Sequence, residues 1–209
     1  FDDVKLSSAE ILVRIFQTEK NYELTNNIAE YTNSQNAVSS INLKSISNIQ
    51  IELERYLKQE GILYIRKSGD TGIKDENITK RISIEILAQL IYSKMGNPDR
   101  ATNQKKALFD KYYDEIFSEN LNFEEVKDLV EKYFNIQERY KESNFEMTNQ
   151  KCFYILWISE VYDKLIDQSI QLLEKYLLEY KKEENISNSR KLIQKGFKKY
   201  IEDNIKNIF

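Results

Sequence analysis

The chain has 209 residues, of which 41% are hydrophobic and 31% are charged, and its net charge is −3. This length suits one domain or two small ones, and the composition is that of a folded globular protein rather than a disordered one. One proline and five glycines favour long helices and argue against a β-sandwich, a barrel or a flexible linker. The small net charge predicts no strong attraction of the whole chain to nucleic acid or to a membrane.

The residue types that are missing exclude several kinds of chemistry. The chain has no histidine and a single cysteine, which excludes Ser–His and Cys–His catalysis, an internal disulfide and a structural zinc site built from this chain alone. The sequence contains no phosphate-binding glycine loop, and no apolar stretch reaches the ~18 residues of a membrane span. We therefore expect no cofactor, no metal and no membrane partner.

The first half of the chain mixes predicted strands and helices. Short β-branched runs predict strands, and apolar residues three and four apart, such as Ile49, Leu53 and Leu57, predict a helix face. Gly61 and Ser83 are residue types that end and begin helices. In chain order we expect a strand at 11–16, a helix at about 19–31, a helix from Ser45 or Ser47 to about Glu60, a strand at 62–65, a turn at 69–72, a strand or extended segment ending at Ile82, and a helix from Ser83 to Met95.

From residue 98 onward the pattern is helical throughout. Residues 153–158 are apolar on every side, which predicts the most buried helix and places Cys152 and Trp157 in the core. The expected helices span 98–118, 122–142, 148–166, 167–184 and 188–207. The predicted fold class is therefore α+β, mostly α. A small N-terminal mixed part with two or three strands, at 1–95, is followed by a helical bundle at 96–209.

A polar stretch follows the first predicted helix. It consists of Thr32-Asn33-Ser34-Gln35-Asn36-Ala37-Val38, and each carboxamide in it offers two N–H donors and a carbonyl acceptor. The local chemistry favours a helix end followed by an Asx-type turn. The other interpretation is a site at which Thr32, Asn33, Gln35 and Asn36 contact nucleic acid or a partner.

Several phrases of the sequence, taken in order, resemble the AIPR family of bacterial abortive-infection phage-resistance proteins. The first is the polar stretch, followed by Asn42-Leu43-Lys44-Ser45, by Ile49-Gln50 and by Leu63-Tyr64-Ile65-Arg66-Lys67-Ser68-Gly69. Leu87-Ala88-Gln89 and Gly96-Asn97-Pro98-Asp99-Arg100-Ala101 add to the match, which runs from about Ala9 to Phe117. The resemblance implies a role in bacterial antiphage defence in the cytoplasm.

Two departures from the family's pattern bear on activity. Ile65 stands where the family places an acid ahead of a basic pair, so this strand carries no E-x-K nuclease motif. The family's earlier half, with its Asn-Gly-rich phrases, does not precede this region, and Phe1 is not an initiating methionine. We therefore expect a C-terminal part of a longer protein that is not catalytic alone. Any nuclease activity would lie in the missing N-terminal half.

Three conspicuous residues close the strand at 62–65, namely Tyr64, Arg66 and Lys67. A tyrosine beside two cations can stack on a nucleobase and pair with phosphate. Cations at a strand end can equally keep a sheet edge soluble. The residues alone leave both interpretations open.

The C-terminal segment is basic, because residues 181–209 hold eight bases and four acids. The simpler interpretation is that these charges lie on solvated helix faces. The other interpretation is a helix that contacts phosphate or an acidic partner.

Our leading hypothesis for the whole chain is a C-terminal recognition module of an antiphage defence protein that contacts nucleic acid or a partner. The competing hypothesis is a structural helical module for docking or homo-oligomer formation, and salt-dependent binding separates the two. The candidate partners are nucleic acid, a second copy of the chain and the missing N-terminal half.

Overall fold

The structure is a computed structural model that describes residues 40–67, 78 and 80–205. The strand, the helix and the polar stretch predicted within 1–39, and the turn predicted at 69–72, lie outside these residues. The described elements are α1 (Ser40–Lys44), α2 (Asn48–Gln59), β1 (Ile62–Ile65), β2 (Lys80–Ser83), α3 (Ile84–Lys94), α4 (Pro98–Asn103), α5 (Lys105–Asp110), α6 (Tyr113–Ile116), α7 (Phe123–Glu142), α8 (Asn149–Val161), α9 (Ile166–Glu179), a 3₁₀ turn (Lys182–Glu184), α10 (Asn188–Leu192) and α11 (Lys195–Ile205).

The two described strands form a parallel pair in which Ile62 lies opposite Lys80 and Ile65 lies opposite Ser83. Side chains alternate along β1, so that Ile62 and Tyr64 are buried. The Ser83 Oγ accepts a hydrogen bond from the backbone N of Ile86 at 3.3 Å. This N-terminal cap turns the chain directly from β2 into α3.

Helix α2 begins and ends as the sequence predicts. Ser47 has an extended backbone immediately before the first helical residue. Gly61 follows the helix with φ of +74°, a conformation that residues with a side chain rarely adopt. Leu53 and Leu57 are fully buried on the inner face of the helix. The predicted helix face is therefore confirmed.

One cluster of buried hydrophobic side chains extends from α2 to α11. Residues 151–159 of α8 are the longest run of consecutive buried residues in the described part of the chain. Helices α3, α9, α4 and α7 all pack against α8. The mostly α fold with a small mixed part is confirmed. The predicted division of the chain into two parts, 1–95 and 96–209, stays a prediction. Helix α3, which precedes this division, packs against α4 and α8, which follow it.

The single helix predicted at 98–118 is wrong, because three short helices occupy this segment. The first break falls at Gln104, with φ of −116° and ψ of 45°. The hydroxyl of Thr102 donates to the Asp99 carbonyl at 2.7 Å, a local bond of the kind that weakens helix continuation. The second break precedes Tyr113, whose hydroxyl bonds to Ser47, 66 residues earlier in the chain. The first break thus lies beside a local hydrogen bond and the second beside a tertiary one.

The helix predicted at 188–207 is interrupted between α10 and α11. A continuous helix would use the Leu192 carbonyl as the acceptor for the backbone N–H of Gly196. That carbonyl instead accepts a hydrogen bond from the Tyr154 hydroxyl at 2.9 Å. A Cβ on Gly196 would lie 2.7 Å from the Tyr180 hydroxyl, so a larger residue here would displace the Tyr180 side chain.

Two other predicted helices end early. The helix predicted at 148–166 ends at Val161, and Asp163 has φ of +49°. The Ser159 hydroxyl donates to the Lys164 carbonyl at 2.8 Å, which secures this turn. The helix predicted at 167–184 ends at Glu179 and is followed by the 3₁₀ turn.

We expect Cys152 to react very slowly with thiol reagents in the native protein. The residue is fully buried, and burial raises the pKa of its thiol to about 12. The reactive thiolate is therefore scarce at pH 8, whereas an ordinary cysteine with a pKa of about 8.5 is partly ionised. Labelling with a chromogenic disulfide should be at least about a hundredfold slower than in denaturant, since it requires opening of the core. Labelling of the native chain at the rate of a free thiol would contradict this burial.

Candidate recognition site

A buried polar network joins the end of β1 to the start of α2. The Tyr64 hydroxyl donates to Gln50 Oε1. The other end of the Gln50 carboxamide, Nε2, donates to the Tyr113 hydroxyl at 3.1 Å. That hydroxyl lies 2.6 Å from Ser47 Oγ. The network therefore connects β1, α2 and α6 through side chains whose polar atoms are satisfied inside the core.

Tyr64 belongs to the core of this site rather than to its surface. Its side chain is 2% exposed, because it shares the inner face of β1 with Ile62. Burial raises the pKa of Tyr64 well above its ordinary value, and the neighbouring Tyr113 raises it further. The phenol therefore stays neutral and acts as a hydrogen-bond donor to Gln50. In this structure its ring is not available to stack on a nucleobase.

Arg66 clamps the end of β1 to the segment between α1 and α2. Its Nη1 donates to the Ser45 carbonyl at 2.5 Å, and its Nη2 lies 2.9 Å from Glu54 Oε2. The side chain is 18% exposed, and its Nε is buried without a hydrogen-bond partner among the described residues. Most of the guanidinium is thus engaged within the protein, so Arg66 fixes the position of neighbouring chain segments.

Lys67 is the member of the predicted trio that faces solvent. Two other cations of this region, Lys44 and Lys80, already contact groups within the protein. Lys44 lies over the Tyr113 ring, with Nζ 4.8 Å from the ring centroid. The Lys80 Nζ forms an ion pair with Glu131 Oε2 at 2.5 Å. Lys67 is therefore the cation of this group with the most freedom to meet an external anion.

The carboxamide and hydroxyl residues of the polar stretch lie outside the described residues. They are Thr32, Asn33, Gln35 and Asn36. In sequence, the stretch ends just before α1, which starts at Ser40. The structure brings Arg66 to the far end of α1 and Tyr64 to Gln50 of α2, and the place of the stretch beside them stays a prediction.

Sequence reasoning missed the central part played by Gln50, which is fully buried. The signal is its position in the apolar face of α2, three residues before Leu53 and seven before Leu57. A carboxamide at a core position of a helix needs buried partners, and Tyr64 and Tyr113 supply them. Glu54, four residues after Gln50, lies at the edge of the same face, and its carboxylate reaches Arg66.

Two further phrases from the sequence analysis meet in the core. Gln89, from Leu87-Ala88-Gln89, is 1% exposed, and its Nε2 donates to the Ala101 carbonyl at 2.6 Å. The backbone N of Asn97 donates to the Tyr92 carbonyl at 3.1 Å. Gly96 makes this turn with φ of +90°. The hydrogen bond from Gln89 to the Ala101 carbonyl holds α4 against α3.

The described residues contain no group of three or more Cys, Asp or Glu side chains placed to hold a metal ion. Among the helices in this part of the chain, none combines the length and apolarity needed to cross a membrane. Of the predicted site residues that the structure describes, Lys67 is exposed, and its ammonium can pair with phosphate.

The model of the family described as AIPR protein matches residues 1–208. The chain therefore belongs to the AIPR family, which confirms the resemblance drawn from the sequence phrases. Membership points to involvement in abortive-infection defence against phage. No curated protein and no solved structure matched the chain.

Proposed function

We propose that this chain is a recognition module of a bacterial antiphage defence protein and contacts nucleic acid in the cytoplasm. The observation that carries the proposal is the Arg66 clamp. By binding the Ser45 carbonyl, Arg66 ties the end of β1 to the far end of α1. The polar stretch runs into α1 in sequence, so the clamp favours a shared surface for Lys67 and the stretch.

The chemistry of this surface suits nucleic acid. The Lys67 ammonium pairs with phosphate, and the carboxamides of Asn33, Gln35 and Asn36 are groups that read base edges. Thr32 adds a hydroxyl that can bond to phosphate or sugar. Tyr64 and Arg66 support the site from within. The module itself carries no catalytic role in this proposal.

Lys67→Gln, Asn33→Ala and Gln35→Ala should each weaken binding of a labelled oligonucleotide without lowering the melting temperature. Lys67→Gln loses one phosphate contact. The slope of log affinity against log salt concentration should therefore become shallower by about one in this variant. Fluorescence anisotropy with DNA and with RNA, between about 50 and about 200 mM salt, measures both quantities. In the full-length protein, the same substitutions should abolish phage resistance in plating assays.

Lys106→Gln is the matched control for the charge change. The Lys106 side chain is 88% exposed and forms an ion pair at 3.9 Å with Asp110, one helical turn away. Affinity and salt slope should be unchanged in this variant. If Asn33→Ala and Gln35→Ala instead each lower stability by ~0.5–1.5 kcal/mol and leave oligonucleotide affinity unchanged, the stretch is a turn and the site is rejected.

A docking or oligomerisation module is the second candidate function, and exposed apolar side chains favour it. Leu165, immediately before α9, is 71% exposed, and Val161, at the end of α8, is 50% exposed. Large exposed apolar side chains near one another are typical of contact surfaces. In sedimentation equilibrium the mean mass should then rise with protein concentration, and it should rise less in Leu165→Asp. This result, together with no oligonucleotide binding, would support this candidate over the first.

A further inference from the structure

A surface pocket of about 310 Å³ lies where the end of α3, the end of α6 and the start of α7 meet. Most of its lining is apolar. The apolar side chains are those of Ile91, Met95, Ile116, Leu121, Val126 and Leu129. Four of them belong to the core and are at most 7% exposed, whereas Met95 and Leu121 reach the surface. The core is thus accessible from outside at this point, and no residue is shared with the site around Lys67.

Met95 is the exposed apolar member of this lining. It lies at the C-terminal end of α3 and is 42% exposed. An unbranched thioether side chain adapts its shape to different apolar neighbours, which makes methionine frequent at protein-binding surfaces. The pocket volume is close to the lower end of the ~300–1,000 Å³ found for ligand sites. The pocket therefore suits one large side chain from another molecule better than a bulky cofactor.

The surface around the pocket is acidic. Residues 112–126, which supply α6, the following loop and the start of α7, hold five acids and no base. All five are exposed, namely Asp114, Glu115, Glu119, Glu124 and Glu125. Of the described residues that line the pocket, Lys94 is the single cation, and its Nζ lies 2.9 Å from Glu125 Oε2. The lysine charge is therefore offset, and Glu115 leaves the lining with a net negative charge.

We propose that this pocket docks a basic segment of a partner protein, which inserts one large apolar side chain beside Met95. Complementarity of charge selects this partner, because the acids around the pocket attract lysine and arginine side chains and repel nucleic acid. The inserted side chain supplies most of the affinity, as buried anchors do at other interfaces. In this proposal the module binds a protein here, in addition to the nucleic acid proposed at Lys67.

Fluorescence anisotropy of the 209-residue chain with three short labelled peptides tests the proposal. The first peptide consists of lysine, glycine and serine with one central leucine. The second has alanine in place of the leucine, and the third has glutamate in place of each lysine. The leucine peptide should bind saturably. The alanine peptide should bind about tenfold or more weakly, because burial of the leucine side chain is lost, and the glutamate peptide should not bind measurably.

Methyl nuclear magnetic resonance of the methionines shows where the peptide binds. The chain has two methionines, Met95 and Met147. Met95 lines the pocket, whereas Met147, between α7 and α8, does not. The leucine peptide should shift the methyl signal of Met95 and leave that of Met147 in place.

Glu115→Gln tests the part played by charge. It should weaken the leucine peptide about twofold to fivefold at about 50 mM salt, because one exposed ion pair is lost, and less at higher salt. Glu138→Gln is the matched control, since Glu138 is also exposed and lies on α7, about 20 Å along the helix from Glu125. The affinity of the control variant should be unchanged.

Absence of saturable binding of the leucine peptide up to about 1 mM would overturn the proposal. Equal binding of the leucine and alanine peptides would do the same, because charge alone would then attract them. A Met95 signal that moves with protein concentration in the absence of peptide would instead assign the pocket to a second copy of the chain. A shift of that signal on addition of an oligonucleotide would assign it to nucleic acid. Lys67→Gln should bind the leucine peptide as the unchanged chain does, so the two proposals fail separately.

Discussion

Trp157→Ala should lower the free energy of unfolding by ~3–5 kcal/mol, the usual effect of deleting a large core side chain. Trp157 is 1% exposed and lies on α8, at the centre of the core. Its ring makes edge-on contacts with Tyr154 and Tyr162, with centroid separations of 5.9 and 5.6 Å. The alanine variant loses these aromatic contacts and leaves a cavity that the surrounding helices cannot close fully.

Urea denaturation followed by far-ultraviolet circular dichroism measures this loss. Fluorescence is unsuitable because Trp157 is the sole tryptophan of the chain. Leu178→Ala provides the control, since Leu178 is 71% exposed and its truncation should change stability by less than about 0.5 kcal/mol. A loss below about 1 kcal/mol for Trp157→Ala would show that α8 is not the centre of the core.

The elements that the sequence predicts well are those whose ends carry local signals. Ser47, Gly61 and Ser83 mark helix ends through bonds or backbone angles formed within a few residues. The burial of α8 was also predictable, because a run that is apolar on every side has no polar face to expose. Local chemistry and burial coincide in these segments, so the pattern and the structure agree.

The breaks within 98–118 and 188–207 could not be predicted in the same way. Both segments keep helical spacing of their apolar residues, and the local Thr102–Asp99 hydrogen bond beside the first break is one that continuous helices also tolerate. The other two breaks lie beside bonds to distant partners: Tyr113 bonds to Ser47, and the Leu192 carbonyl accepts from Tyr154. Hydrogen bonds between residues 38 to 66 positions apart are invisible to periodicity.

The candidate site shows the same limit on a smaller scale. Alternation along a strand predicts that Tyr64 and Arg66 share a face, but it does not say which face is buried. The burial of Tyr64 follows from Gln50, a polar residue in an apolar helix face, which accepts its hydrogen bond. Arg66 then turns back to Ser45 and Glu54 once the strand has ended. Lys67 keeps the exposed position that a phosphate-binding cation needs.

The largest electrostatic effect on stability should come from Lys151 and Glu174. The Lys151 ammonium lies 2.7 Å from Glu174 Oε1, and the two side chains are 6% and 9% exposed. The same ammonium donates to the Glu146 carbonyl at 2.7 Å, and the Tyr140 hydroxyl donates to Glu174 Oε1 at 2.7 Å. Burial, and then the Glu174 carboxylate, raise the pKa of Tyr140. Every charge in this cluster thus depends on its partner.

Lys151→Met should lower the free energy of unfolding by ~3–5 kcal/mol, because it leaves the Glu174 carboxylate buried without a counter-charge. Adding Glu174→Gln to that variant should restore at least about half of the loss, since the second change removes the charge while a carboxamide oxygen can still accept from Tyr140. The two substitutions are therefore strongly non-additive, and urea denaturation of the single and double variants measures their coupling. Additive losses would show that the ammonium and the carboxylate are each solvated independently. In that case the pair would contribute no more than an exposed ion pair, at ~0–1 kcal/mol.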